Sequence, residues 1–438
     1  MELGINILGI IVFLFIGWVF SKDKKKINYK SVGIMTVLNI FLAWFLTSFP
    51  AGRDAVKAAA DGFDWIVKVA YKGINFALAN WVGPNGVHPA PANFLVSALL
   101  PILLIVPLFD ILTYIGFLPW LIKWIGRGLS FITRQPKFES FFAVEMMFLG
   151  NTEALAVSQL QVKQMKAERN VVLAMMSMSC VTASILGSYM QMVPGQYIIT
   201  AVPLNCINAL ISTNLLFPTI VSPEEDTIAT VGGTEIEDAE KGENDTVAEE
   251  EGMVDANGKR EPFFSFLGNS ILGAGKLILI ILANVITFVA LAGLADKILG
   301  GVGGWLATLF HASWLKNLSL ESILGVVLYI PAWLMGLSPH LAWSFSQLMG
   351  LKLVTNEFVV MEKVTGHILH FAPHYKAVLT VFLTSFANLS TTGMIIGAFK
   401  GMVDKAKNDL ISKNVVRMFL SGILVSLLSA AMVGLFVW

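Results

Sequence analysis

The sequence predicts an all-α polytopic membrane protein of eight transmembrane helices plus two opposed re-entrant hairpins in an inverted repeat. Three observations lead there. First, 55% of the 438 residues are apolar and only 14% are charged, with a mean hydropathy of +0.71. A soluble domain ordinarily carries about 25% charged residues. Second, apolar runs long enough to cross a bilayer, about 20 residues, recur along the chain. Third, two further apolar stretches are interrupted by closely similar polar clusters. The same composition excludes a disordered, collagenous or disulfide-rich chain.

The first run extends from Gly4 to Phe20 and is followed by Lys22, Lys24, Lys25 and Lys26. A signal peptide has its positive charges before the apolar run, so this order predicts a retained span. Further runs lie near 31–49, 94–122, 169–192, 197–220, 264–297, 371–399 and 415–438. Lys and Arg mark the cytoplasmic side. The clusters at 22–30, at Lys123, Arg127, Arg134 and Lys137, and at Lys400, Lys405, Lys407, Lys413 and Arg417 fall on one side if eight spans cross and two stretches return. Both termini are then external, and the chain is a multi-pass protein of the cell membrane.

Residues 1–137 read as N-terminal scaffold spans. Within them, 52–82 alternates Asp54, Lys57, Asp61, Asp64, Lys68 and Lys72 with Val56, Phe63, Trp65, Ile66, Val69 and Phe76. That pattern predicts an amphipathic helix along the outer surface. Gly83-Pro84-Asn85-Gly86 and Pro89-Ala90-Pro91 break the chain after it. Residues 138–220 hold the first hairpin and the spans that follow. Residues 263–320 read as a scaffold span and an interfacial helix marked by Trp305, His311, Trp314 and Lys316. Residues 321–400 hold the second hairpin and a broken span, and 401–438 the last span.

The formal net charge is zero, but it is unevenly spread. Residues 224–261 hold fourteen acidic and three basic side chains, a net −11, so the rest of the chain carries +11. The loop 221–262 has too few large apolar residues to fold alone and reads as a disordered cytoplasmic segment. Metal binding by its carboxylates is a secondary reading. Cys180 and Cys206 both lie in apolar runs, so no disulfide framework is legible.

The interrupted stretches 138–165 and 322–362 carry the chemistry. A charge at mid-membrane costs about 2.5–3.5 kcal/mol on insertion scales and persists with a partner, a wet cavity or a task. The first stretch reads Gly150-Asn151-Thr152-Glu153, and the second Thr355-Asn356-Glu357-Phe358. Each is followed by a hydroxyl-rich patch in the next span, Ser177-Met178-Ser179-Cys180-Val181-Thr182 and Ser385-Phe386-Ala387-Asn388-Leu389-Ser390-Thr391. A hairpin followed by a broken span, twice and in opposite directions, describes a carrier with a polar site at the midplane. Ser and Thr in membrane helices also often bond back to their own carbonyls, and Glu139, beside Lys137, reads as an interfacial anchor.

At Gly150-Asn151-Thr152-Glu153, Asn356-Glu357-Phe358 and Phe386-Ala387-Asn388-Leu389-Ser390-Thr391 the chain resembles the concentrative nucleoside transporter family. It looks most like bacterial nucleoside permeases of Bacillus type, over its whole length with the acidic loop as an insertion. The resemblance implies a homotrimer whose protomers each move an elevator-like transport domain past a scaffold. It implies that Asn151, Thr152 and Glu153 contact the nucleobase, that Glu357, Asn388 and Thr391 contact ribose, and that Phe386 lies beside the base. The chemistry agrees: a neutral, hydroxyl-rich ligand is held well by carboxylates through charge-assisted hydrogen bonds.

Two departures from the family pattern matter. Family members carry Gln where this chain has Asn151, one methylene shorter, which leaves room for a purine. Sodium-coupled members have Asn at the position of Met146, seven residues before Glu153, and a methionine sulfur is a poor sodium ligand. The backbone carbonyl of Leu149 and the hydroxyls of Ser179 and Thr182 remain as oxygen ligands. A proton is therefore favoured over Na+ as the coupling ion, with Glu145, Glu153 or Glu357 to carry it.

His367, His370 and His374 are spaced like metal ligands, but Pro373 interrupts a helix there, and no metal or organic cofactor is expected. The methionines read as core filling. The sequence has no GxSxG, P-loop or HExxH motif, so nothing points to an enzyme. The expected function is ion-coupled symport of nucleosides into the cell. The expected partners are a nucleoside, the lipid bilayer and two further copies of the chain, with no nucleic acid. Two alternatives are a transporter of another hydroxylated solute on a similar framework, and a membrane receptor or scaffold that uses the acidic loop.

Overall fold

A computed structural model describes residues 2–82, 94–228, 261–313 and 318–438, with the side chains of 79–82, 97, 152, 153, 156 and 160 outside the description. Among the described residues every regular element is a helix. The helices α1 (Glu2–Val19) and α2 (Tyr29–Thr47) follow the first two apolar runs, and Asn28 caps α2 by accepting from the backbone N–H of Ser31. Both pack against α11 (Gly195–Leu216) and α19 (Val415–Gly434). Their buried amides donate across those contacts: Asn6 Nδ2 to the carbonyl of Ala431 at 2.9 Å and Asn39 Nδ2 to that of Leu204 at 3.0 Å.

The expected amphipathic helix is α3 (Pro50–Val82), with a kink at Leu78. Val67, Ala70, Tyr71 and Ile74 form its buried stripe against Val96 and Ile105, while Trp65 and Phe76 point outward. The break 83–93 lies outside the described residues.

A series of elements then occurs twice. The first copy runs α4 (Ile102–Tyr114), α5 (Phe117–Thr133), α6 (Lys137–Leu149), α7 (Asn151–Val157), α8 (Gln159–Gln164), α9 (Ala167–Met176), α10 (Ala183–Met190) and α11. The second runs α12 (Phe263–Phe310), α13 (Leu320–Trp333), α14 (Pro339–Val354), α15 (Glu357–Thr365), α16 (Pro373–Leu383), α17 (Leu389–Met402) and α19, with α18 (Lys405–Lys413) inserted. In each copy a helix pair interrupted at a polar cluster (α6/α7, the first hairpin, and α14/α15, the second) precedes a pair with an unwound middle (α9/α10 and α16/α17) and a long continuous helix.

Among the described residues five helices, α1, α2, α11, α12 and α19, are long and apolar enough to cross a membrane alone. The run 94–122, expected as one span, turns by 76° between α4 and α5, at Gly116 with φ +84°. The runs 169–192 and 371–399 are the broken pairs α9/α10 and α16/α17. The long helix α12 exceeds its expected run: it has no proline, and it continues through Trp305 to Phe310, where His311 ends it with φ +53°. A separate interfacial helix at Trp305 and His311 therefore does not form, and Trp314 and Lys316 lie outside the described residues.

The corresponding breaks are built alike. Helix α6 stops at Gly150, whose φ of +91° suits glycine; a Cβ there would also lie 2.8 Å from Thr182 Cβ. Helix α14 stops at Thr355, and Asn356 caps α15 through the N–H of Val359. Thr182 caps α10, and Asn388 caps α17 through the N–H of Thr391. Each of these caps satisfies a backbone N–H where a helix restarts. Both broken spans reach α19 at Gly422, where a Cβ would lie 3.0 Å from the Cβ atoms of Met178 and Ala387.

Candidate functional site

The residues around the two hairpin tips and the two breaks enclose one cleft with about 690 Å³ of unfilled space, counting the part open at its mouth. The first hairpin supplies Leu149, Gly150 and Asn151, the start of α10 supplies Thr182 and Ile185, and the second hairpin supplies Asn356, Glu357 and Phe358. Phe386, Asn388, Ser390, Thr391 and Met394 come from the second break and α17, and Leu277, Ile280, Ile281 and Asn284 from α12.

Glu357 is the organising group. It is 3% exposed, and both carboxylate oxygens are engaged. The Tyr189 hydroxyl donates to Oε1 at 2.9 Å, and Asn388 Nδ2 donates to Oε2 at 3.0 Å. Asn388 Oδ1 in turn accepts from the N–H of Thr391 at 2.8 Å. Tyr189 is itself held by an edge-on contact with Phe358, ring centroids 4.9 Å apart. The carboxylate keeps lone pairs to offer a hydroxyl donor at the cleft.

Beneath the hairpin lies Lys352, fully buried on α14. Its Nζ donates to the carbonyl of Phe382 and to Ser385 Oγ, at 2.6 Å each, and stands 4.5 Å from the Phe382 ring centroid. Ser385 Oγ lies 2.5 Å from Ser426 Oγ on α19. Lys352 thus ties the second hairpin to the carbonyl end of α16, where a helix terminus favours positive charge.

The cleft thus unites Asn151, Glu357, Phe386, Asn388 and Thr391 of the expected substrate set, and Leu149 and Thr182 of the expected ion set. Asn151 donates to the carbonyl of Ser177 at 3.3 Å, joining the first hairpin to the first break. Thr182 Oγ1 donates to the carbonyl of Phe148 at 3.2 Å. Thr152 and Glu153 lie on α7, but their side chains fall outside the described residues. Glu145 and Ser179 are buried and do not line the cleft. Glu145 accepts from Ser158 Oγ at 2.9 Å, and Ser179 Oγ has no hydrogen-bond partner among the described residues. Met146 is fully buried.

Sequence reasoning missed Tyr189, Lys352 and Asn284. Lys352 had a usable signal, a lysine in an apolar arm five residues before Glu357. Glu139 does not pair with Lys137: Arg169 grips it with two bonds of 2.7 Å, and both side chains are buried. Arg169 also donates to the carbonyl of Glu225, Lys166 pairs with Glu225, and Asp226 accepts from the N–H of Lys137 at 2.6 Å. The start of the acidic loop is therefore pinned to the base of the first hairpin. The ring nitrogens of His374 lie 2.8 and 2.9 Å from the carbonyls of Val437 and Met335, so this histidine is engaged by backbone.

Comparison with known proteins gives the family. Sequence models described as the Na+ dependent nucleoside transporter N-terminus and C-terminus match residues 8–81 and 197–434. A Bacillus subtilis protein named purine nucleoside transport protein NupG is 41% identical over 99% of both chains. This chain belongs to the concentrative nucleoside transporter family. The nucleoside permease NupC of Helicobacter pylori is 27% identical over 99% of this chain and 97% of its own. The fold also matches CNTnw in an inward-facing substrate-bound state, with a TM-score of 0.83 and 25% identity over 100% of this chain and 98% of that one. An outward-facing CNTnw variant gives 0.84 and 25%, covering 100% and 99%. As a concentrative nucleoside transporter the chain is a multi-pass membrane carrier of nucleosides and not an enzyme.

Proposed function

We propose that this transporter carries nucleosides into the cell by symport with a proton, and that it prefers purine nucleosides. The observation that carries the reading is the Glu357 carboxylate, held by Tyr189 and Asn388 at the wall of a cleft shared with Asn151 and Phe386. Glu357, Asn388 and Thr391 bind the ribose, Asn151, Thr152 and Glu153 bind the base, and Phe386 lies against it. A ribose lacking a hydroxyl leaves a buried acceptor unpaired, which costs about 1–3 kcal/mol. The shorter Asn151 leaves space for the second ring of a purine, and the name of the Bacillus subtilis relative supports that preference.

Proton coupling follows from Met146, which puts a thioether where an oxygen would complete a sodium site. Glu145, Glu153 and Glu357 are the carboxylates available to carry the proton. The competing ion is Na+, held by the Leu149 carbonyl with Ser179 and Thr182; the unpartnered Ser179 hydroxyl favours it. The remaining parts of the reading are eight spans with both termini external, elevator motion of the hairpin-bearing body, and a homotrimer. The broad apolar surface that α12 leaves exposed supports the trimer.

The test is uptake of labelled inosine and uridine into proteoliposomes, with pH and sodium gradients imposed separately. Inward-directed protons should drive inosine uptake, and an uncoupler should abolish it. Uptake that requires sodium and ignores the uncoupler overturns the proton assignment, and pyrimidines outcompeting inosine and guanosine overturn the purine preference. Glu153→Gln and Glu357→Gln should each cripple transport. Full activity in either removes that residue from the site.

A further inference from the structure

The helix α12 places one amide in the cleft that no described residue engages. Between Lys276 and Asp296, Asn284 and Thr287 are its only polar side chains. Asn284 faces the cleft on one stripe with Leu277, Ile280 and Ile281, spaced at the helical repeat. Its carboxamide makes no hydrogen bond with any described residue. An amide on an apolar helix, with no partner among the described residues, is costly to keep unless something arriving from outside completes it.

We infer that Asn284 is a further substrate-recognition residue, pairing with the edge of the nucleobase that carries an adjacent ring N–H and C=O. A carboxamide offers one donor and one acceptor in a plane, the complement of that edge as found in hypoxanthine, guanine and uracil. The other polar groups of the cleft come from the hairpins, from α10 and from the second break and α17, and Glu357 with Asn388 supplies hydroxyl-binding capacity. The amide on α12 completes recognition from a different element. Helix α12 packs chiefly on α4 rather than on the elements that hold Glu357. The Asn284 bond is thus one that motion of the hairpins relative to α12 would break.

This inference rests on the nucleoside reading of the cleft, and a comparison of two ligands separates the two. Binding of inosine and of purine riboside, which lacks the 6-oxygen and the adjacent N–H, is measured by calorimetry on the purified full-length protein and on Asn284→Leu and Asn284→Ala. Inosine affinity should fall by about tenfold in both variants while purine riboside changes by less than about twofold. Leu keeps the side-chain volume and Ala opens space, so the Ala result decides if Leu weakens both ligands by bulk. Equal loss for both ligands in Asn284→Ala, or no loss for inosine, overturns the inference and leaves the nucleoside site standing. A wild-type protein that binds neither ligand overturns the nucleoside reading and this inference with it.

Discussion

The hydroxyl of Tyr189 donates to Oε1 of Glu357 across 2.9 Å and 168 positions of sequence. One residue ends the broken span of the first repeat, and the other opens the returning arm of the second hairpin. This bond fixes the carboxylate's position and joins the two repeats at the cleft. Asn388 supplies the second bond, so each oxygen of Glu357 has one fixed donor.

Tyr189→Phe keeps the ring packed against Phe358 and deletes only that donor. A hydrogen bond to a charged group contributes about 1.5–3 kcal/mol. Ribonucleoside affinity should fall by roughly tenfold to a hundredfold. Calorimetry with a ribonucleoside and its 3′-deoxy analogue checks it. The deoxy analogue should lose less, because it makes less use of an aligned carboxylate; equal losses would show that the tyrosine supports the fold rather than the carboxylate.

Lys352→Met keeps the apolar stem and removes the ammonium that binds the Phe382 carbonyl and Ser385. Two buried acceptors lose a charged donor, at about 1–3 kcal/mol each. Thermal unfolding in detergent should shift down by several degrees and transport should be lost. Lys352→Arg should not rescue either, since the wider guanidinium has no room in a fully buried site.

Gly150→Ala strains the first hairpin twice over, through the φ of +91° and through the 2.8 Å approach to Thr182 Cβ. Such backbone strain costs about 1–3 kcal/mol. The expected outcome is a protein that still inserts and folds but binds substrate at least about tenfold more weakly. Normal binding would mean that the hairpin tip tolerates the shift and does not shape the cleft.

Arg169→Met leaves Glu139 buried and unpaired, which costs about 3–5 kcal/mol, whereas Arg169→Met with Glu139→Met should recover most of the loss. Unfolding curves of the wild type, both single variants and the double variant measure this directly. The neighbouring Glu225 is held below the ordinary carboxylate range, chiefly by its hydrogen bond from Lys166. Its contribution is therefore complete above that range and disappears only as pH falls through the lowered value. Limited proteolysis of the acidic loop should stay unchanged from neutral pH down to the ordinary carboxylate range and rise below it.

The interruptions at Gly150 and Thr355 were legible because a local rule was broken in view. Asn, Thr and Glu in an apolar stretch conflict with the cost of burying them, and the conflict occurs twice with the same residue types. The breaks were legible from the hydroxyl-rich patches, since Thr182 and Asn388 are also capping residues. Tyr189 and Asn284 were not legible. An aromatic near a span end and a lone amide on an apolar helix are ordinary features until their neighbours are known. The length of α12 was misjudged because Trp305 and His311 read as marks of a separate interfacial helix, while the lack of proline let the helix run on.

The order of apolar runs, the positive clusters and the repeated polar interruptions determined by themselves that this chain is a helical membrane carrier with polar residues breaking two of its apolar stretches. Those features follow from the cost of placing each residue in hydrocarbon, which depends on that residue and its near neighbours. Only the tertiary structure decided that Glu357 meets Tyr189 and Asn388, that Lys352 braces the second break and that α12 lends Asn284 to the cleft. Those meetings join residues from separate helices. They depend on how whole helices pack, which no local pattern of side chains encodes.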